Sequence, residues 1–247
     1  MSFLSEIIER KRQRLESVKR ARPPHRLRDA LVSDGINIIA EFKRRSPSKG
    51  IIRADADVMQ IVSSYAAGGA AAISVLTEED YFSGSLDDLR AVKKAVDLPV
   101  LRKDFIFDEY QVYESAAAGA DAVLLIVAAL DDERLLSLRE LIEDEFSMDA
   151  LIEVHTREEL QRAVACGASV IGVNNRNLHT FEVSVDTSLS LAAEAPSEVV
   201  LISESGLKSS TDLARLRDAG YRGFLIGESL MRSDDPGAAL RDLMSLP

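Results

Sequence analysis

Four glycines set about fifty residues apart constrain the fold of this chain more than any other feature. Gly69, Gly119, Gly167 and Gly220 are separated by 50, 48 and 53 residues, and each lies between a helix-like stretch and a β-rich run. Ala66-Ala67-Gly68-Gly69-Ala70-Ala71-Ala72-Ile73-Ser74-Val75 is one example, and Ala117-Ala118-Gly119-Ala120-Asp121-Ala122-Val123 is another. Glycine closes a helix in the left-handed conformation without a Cβ penalty, so each position reads as a joint from helix to strand. Further β-like runs lie between the joints, bounded by turn and capping residues. Eight strands are expected near Ile36–Glu41, Ala71–Leu76, Val100–Lys103, Ala122–Val127, Ala150–Val154, Val170–Val173, Val199–Ser203 and Gly223–Gly227. Helical patterns fill the gaps at Val58–Ala67, Leu86–Val96, Glu109–Ala118, Asp132–Phe146, Glu158–Cys166, Thr187–Ala195, Thr211–Ala219 and Gly237–Met244, with Asp108 and Thr156 placed as N-caps. Nearly continuous apolar strands alternating with helices mean a parallel sheet covered on both faces. Eight such units in a two-unit repeat predict a closed (β/α)8 TIM barrel, an α/β fold. No Gly-x-Gly-x-x-Gly follows the first strand, which weakens a dinucleotide-binding alternative. No linker divides residues 1–247, so one domain is expected.

Composition removes several classes of function. The longest apolar stretch, Ala122 to Leu130, is too short for a bilayer, and the N-terminus lacks the pattern of a secretory signal. One cysteine, Cys166, leaves no disulfide framework and no Cys-rich metal site, and these absences point to the cytoplasm. The net charge of −11 makes the chain a poor general binder of nucleic acid. Residues 1–30 depart from that balance with nine basic and four acidic residues. Phe3, Leu4, Ile7, Ile8, Leu15 and Val18 recur there near helical spacing. The expectation is an N-terminal helical extension laid over one end of the barrel; contact with a membrane or nucleic acid is the alternative.

The chemistry is concentrated where apolar strands end. Ile38-Ile39-Ala40-Glu41-Phe42-Lys43, Val100-Leu101-Arg102-Lys103-Asp104-Phe105, Leu151-Ile152-Glu153-Val154-His155, Val173-Asn174-Asn175-Arg176, Ile202-Ser203-Glu204-Ser205-Gly206 and Ile226-Gly227-Glu228-Ser229 all place polar groups at carboxyl ends. Barrel active sites lie at that end. The two-residue period of a strand puts Glu41 with Lys43 and Lys103 with Phe105, so Glu41, Lys43, Lys103 and Glu153 converge if that face is the mouth. Such groups supply general acids and bases; the alternative is an inert plug of ion pairs, which polar residues at six strand ends disfavour. Glycines closing strands seven and eight, each before an expected helix start, suggest a phosphate site with Lys43 and Ser205 nearby. His25, His155 and His179 have no ligand spacing, so no metal is expected, and His155 is expected to cap the next helix or bond locally.

The motifs together are specific. Ile39-Ala40-Glu41-Phe42-Lys43-Arg44-Arg45-Ser46-Pro47-Ser48-Lys49-Gly50, Leu76-Thr77-Glu78 with Tyr81-Phe82-x-Gly84-Ser85, Leu101-Arg102-Lys103-Asp104-Phe105-Ile106, and the later strand ends through Leu225-Ile226-Gly227-Glu228-Ser229-Leu230-Met231 run in the order found in indole-3-glycerol phosphate synthases, which the chain resembles. The resemblance implies ring closure, decarboxylation and dehydration of 1-(2-carboxyphenylamino)-1-deoxyribulose 5-phosphate, with no organic cofactor or metal. It implies Lys103 as general acid, with Lys43, Glu41 and Glu153 sharing the acid, base and electrostatic roles of dehydration in a division left open. It places Asn174 against the anilino and hydroxyl part of the substrate and Arg176 near its carboxylate. Ser205, Gly206, Gly227 and Glu228 correspond to phosphate-binding turns, and Phe82, Phe105, Leu124 and Leu178 to the walls of an aromatic slot. Ser46 and Glu204 belong with the substrate-binding residues. A phosphorylated small molecule is thus the expected partner, with neither nucleic acid nor membrane, and a monomer is favoured. Phosphoribosylanthranilate isomerase or the tryptophan synthase α subunit is the nearest rival reading, disfavoured by Lys103-Asp104-Phe105 with Glu41-x-Lys43. A barrel that binds a phosphorylated ligand without turnover is the other. The chain has five Tyr and no Trp, so an indole product would appear against a dark background.

Overall fold

The computed structural model describes residues 26–177 and 180–245. Eight parallel strands close on themselves: β1 (Asn37–Phe42), β2 (Ala72–Leu76), β3 (Val100–Lys103), β4 (Ala122–Ile126), β5 (Asp149–Val154), β6 (Val170–Asn174), β7 (Val200–Glu204) and β8 (Gly223–Ile226). Each pairs with its sequence neighbours, and β1 pairs with both β2 and β8. The helices between them are α1 (Val58–Gly68), α2 (Leu86–Ala95), α3 (Glu109–Ala118), α4 (Asp132–Glu140), α5 (Arg157–Ala165), α6 (Asp186–Ala192), α7 (Ser210–Asp218) and α8 (Pro236–Met244). The four joint glycines all take positive φ, between 82° and 109°. At Gly69 and Gly119 the backbone N–H closes the preceding helix onto a carbonyl three residues back. Asp108 and Thr156 are the caps of α3 and α5.

The strand period sorts the core into two sets. Ile38, Ala40 and Phe42 face outward under the helices, whereas Ile39, Leu101, Leu124, Leu151, Ile202 and Leu225 fill the barrel interior. A single-turn helix, Leu27–Ala30, plugs the amino-terminal end: Leu27 and Leu31 are fully buried with the interior set, and the Arg28 N–H donates to Asp149 at the start of β5. That much of the expected N-terminal extension is laid over one end of the barrel; residues 1–25, including the apolar stripe from Phe3 to Val18, lie outside the described residues.

Several expected boundaries shift. The helix expected over Asp132–Phe146 is α4 followed by a wider π turn, Leu141–Glu145, which keeps Ile142 buried and sets Phe146 edge-on to Tyr113. β4 ends at Ile126 because Val127–Ala129 coil into a 3-10 turn. Gly227 is not the last residue of β8 but the N-cap of a short helix, Glu228–Arg232. Gly206, unlike Gly227, does not open a helix, since α7 begins only at Ser210, capped by Ser209. A two-residue hairpin, Arg45–Ser46 with Gly50–Ile51, folds the loop after β1 over the carboxyl end.

Candidate active site

At the carboxyl end the inward alternation of the strands delivers charge. Lys103 closes β3, with its ammonium 3.0 Å from Glu153 on β5 and 3.5 Å from Glu204 on β7. Glu41, on β1, pairs with Lys43 at 2.6 Å. Glu41, Glu153 and Glu204 are all buried. Two glycines make room for two of these carboxylates: a Cβ at Gly172 would overlap Glu204, and one at Gly227 would overlap Glu41. The expected convergence of Glu41, Lys43, Lys103 and Glu153 is therefore present, and Glu204 joins it as a fifth member.

Burial and mutual charge push Lys103, Glu153 and Glu204 apart in proton affinity. Burial raises Glu204 to about 8; Lys103 opposes that, while Glu153 and Glu41 reinforce it. Burial also disfavours the charged form of Glu153, but Lys103, His155 and a hydrogen bond from the Asn174 amide outweigh it, so Glu153 stays ionised. Burial pulls the Lys103 ammonium down, yet Glu153, Glu204 and Glu41 more than restore it, holding the lysine protonated. At neutral pH the cluster is thus an ammonium, an ionised carboxylate and a protonated carboxyl that donates to it. That combination can give protons and can accept one.

The surroundings are fixed by backbone and buried side chains. Arg102 points outward from β3, donating to Thr77 Oγ1, Asp104 Oδ2, Ser115 Oγ and the Gln111 carbonyl. It thereby pins the loop that carries Phe105. Phe105 is half exposed, and its ring lies 6.4 Å from that of Phe82, so the two form an apolar wall at the mouth. The register of β3 on β4 runs Leu101 to Ala122 and Arg102 to Val123, which sets Leu124 beside Lys103 as a floor. Asn174 accepts from the Arg176 N–H, and the Arg176 guanidinium reaches Ser48 Oγ and the Phe181 carbonyl, tying the loop after β6 to the loop after β1. Ser46 is buried in the hairpin with its hydroxyl unpartnered.

Beyond β7, Ser205 and Gly206 take successive positive φ values of 67° and 77°, and the Asn175 amide holds the Ser205 carbonyl. Ser188, Ser203 and Asn175 form a buried network beneath this turn. The Glu228 carboxylate turns away to Arg232, leaving only its backbone to face an anion. His155 does bond locally, through Glu159 on α5, but its other ring nitrogen also reaches Glu153, which its sequence position did not suggest. Leu178 lies outside the described residues.

The profile of the family described as indole-3-glycerol phosphate synthase matches residues 4–243. The chain belongs to that family. It is similar to the indole-3-glycerol phosphate synthase of Chloroherpeton thalassium, with 47% identity over 95% of this chain and 96% of that one. The synthase of Carboxydothermus hydrogenoformans is 44% identical over 98% of this chain and 100% of its own length. That of Bacteroides thetaiotaomicron is 46% identical, covering 98% and 97%. Among solved structures, the 3-hexulose-6-phosphate synthase of Salmonella typhimurium superposes with a TM-score of 0.67 at 13% identity over 85% of this chain and 97% of that one. The thiamine phosphate pyrophosphorylase of Pyrococcus furiosus gives 0.63 at 16%, over 88% and 95%. At that identity the structures speak for the barrel fold alone. Membership in the indole-3-glycerol phosphate synthase family makes the chain a carboxy-lyase of tryptophan biosynthesis acting on a phosphorylated small molecule. Among the described residues no helix is long and apolar enough to cross a membrane.

Proposed function

We propose that indole formation takes place at the Lys103–Glu153–Glu204 cluster and the adjoining Glu41–Lys43 pair, acting on 1-(2-carboxyphenylamino)-1-deoxyribulose 5-phosphate. In ring closure the aromatic carbon bearing the carboxylate attacks the ketone. The alkoxide that develops needs a proton, and Lys103 gives it, held charged by Glu153. Carbon dioxide leaves and the ring regains aromaticity. Dehydration then removes a proton from the adjacent methylene carbon and expels the hydroxyl as water. Glu41 takes the first proton and Lys43 supplies the second; their 2.6 Å contact lets the pair pass the proton back and start the next cycle unchanged.

The remaining groups bind. Phe82, Phe105 and Leu124 enclose the aromatic ring, Arg176 meets its carboxylate, and Asn174 orients the anilino and hydroxyl part. The Ser46 hydroxyl and the turns at Ser205, Gly206, Gly227 and Glu228 receive the phosphate, the turns chiefly through backbone N–H groups. Glu204 meets the substrate from its place beside Lys103. The chain works in the cytoplasm as a monomer, apart from membrane and nucleic acid.

One observation carries this reading, namely the Lys103 ammonium in ion-pair contact with two buried carboxylates, beside the separate Lys43–Glu41 pair at the mouth of the barrel. Purified protein supplied with the carboxyphenylamino-deoxyribulose phosphate, without added metal, is expected to develop indole absorbance and fluorescence. Folded protein that gives no signal above the uncatalysed rate would refute it.

A further inference from the structure

The proposed reaction does not conserve protons. The substrate carries a carboxylate and a phosphate; the product keeps only the phosphate, and carbon dioxide and water leave uncharged. One proton is therefore consumed per turnover. The dehydration pair returns to its starting state, so the deficit falls on Lys103, whose ammonium becomes an amine when it protonates the alkoxide. Lys103 contacts Glu153 and Glu204, both buried, and must be recharged within that cluster.

His155 stands directly behind the cluster. Its side chain is 9% exposed; Nε2 lies 3.5 Å from Glu153 Oε1, and Nδ1 lies 3.2 Å from Glu159 Oε2. Glu159, in the first turn of α5, also accepts the His155 backbone N–H at 2.6 Å, which fixes the ring plane between the two carboxylates. Burial opposes ionisation of Glu159, but its hydrogen bonds and charge contact with His155 prevail and hold it low, so it accepts and does not donate. Nδ1 therefore carries hydrogen toward Glu159. Nε2 is buried and has no hydrogen-bond partner. It and the Glu153 oxygen would face one another as two acceptors unless one further proton lies between them. The charged neighbours of this arrangement among the described residues are Glu153 on β5, Glu159 and behind it Arg162 on α5, and, through Glu153, Lys103 on β3 and Glu204 on β7.

We propose that His155 is the proton reservoir of the site, a positioning residue that recharges Lys103 through Glu153 after each ring closure. This rests on Lys103 being the acid of that step. The Nε2–H bond breaks as a proton passes to Glu153, Glu153 passes a proton to the Lys103 amine, and the ring is left neutral with Nδ1–H on Glu159. Water returns the missing proton to the ring once product has left.

A reservoir affects every turnover but the first, which separates it from a structural prop. In His155→Gln, a rapid-mixing experiment with excess substrate is expected to give one equivalent of indole product at the wild-type rate. The steady state that follows should be about tenfold slower with KM nearly unchanged, below the range for a directly acting acid. The slow phase should disappear when imidazole is added and deepen as the pH rises. Glu159→Gln, which keeps an acceptor for the backbone but loses the charge, should show a burst of the same kind. It serves as the second test should His155→Gln not fold. Slowing of the first turnover by the same factor, or a steady state equal to wild type in either variant, would overturn the proposal. Absence of indole product from the wild-type protein would instead remove the reading on which it rests.

Discussion

The two ends of the barrel both bury polar and charged residues, and they do so in opposite ways. At the amino-terminal end the Asn37 amide donates to the carbonyls of Leu31, Ser33 and Arg222, and its oxygen accepts from the Ser33 hydroxyl. Asp121 pairs with Lys93 and accepts the Val100 N–H, and Asp149 accepts the Arg28 N–H. Backbone groups of known direction take up the polar capacity there. At the carboxyl end side chains face side chains, five ionisable groups lie together, and Glu204 Oε1, His155 Nε2 and the Ser46 hydroxyl are buried without hydrogen-bond partners. The same residue types therefore do different work. Saturated polar groups tie the chain down, whereas unsaturated ones can still bind substrate and move protons.

Substitutions at the two ends should separate these properties. Lys103→Ala is expected to lower kcat at least about 100-fold, the lower range for a positioned acid, while the two carboxylates left behind share a proton and the chain still folds. Near-wild-type turnover would clear Lys103 of that role. Asp121→Ala, at the other end, should do the reverse. Removing the buried carboxylate that pairs with the Lys93 ammonium costs about 3–5 kcal/mol of stability by denaturant unfolding, with kcat of the folded enzyme within about twofold. If activity fell in step with Lys103→Ala, the division between the ends would be wrong.

Gly172→Ala tests whether the mouth depends on placement rather than on charge alone. A methyl there must displace the Glu204 carboxylate, and a shift of about 1 Å at the reacting groups can cost up to about 100-fold in rate. Unchanged kcat would mean that the position of Glu204 is immaterial. The smallest expected effect is on stability against pH. Because the folded-state pKa of Glu204 is raised to about 8, the folded chain holds a proton that the unfolded chain loses near its ordinary value. Stability from this group is therefore complete below that ordinary value and is lost as pH rises through about 8. Glu204→Gln should gain in melting temperature relative to wild type between pH 6 and pH 9. A constant difference across that range would contradict the raised value.

Much of this was legible in the chain. The glycine joints, the caps and the apolar runs are local signals, and each of the eight barrel strands lies within a residue or so of its expected place. The polar strand ends were legible for the same reason, since a two-residue period states which side chains turn inward. Glu204 could have been grouped with the acids and bases by that rule, because Val200 and Ile202 share its face. Nothing local announced that Gly172 and Gly227 are empty to admit carboxylates, as their partners are 32 and 186 residues away in sequence. The glycine after β7 looked like a helix start because a turn and a helix N-terminus use the same residues.

What the sequence by itself determined is the barrel, its register of inward and outward faces, and the set of residues at its mouth. These follow from periodicity and from glycine's access to positive φ, both properties of neighbouring residues. Only the tertiary structure decided which carboxylate is protonated and which ionised. It alone set His155 against Glu153 and left polar atoms without partners at the mouth. Proton affinity depends on burial and on charges brought together from distant strands, and those distances exist only after the barrel closes.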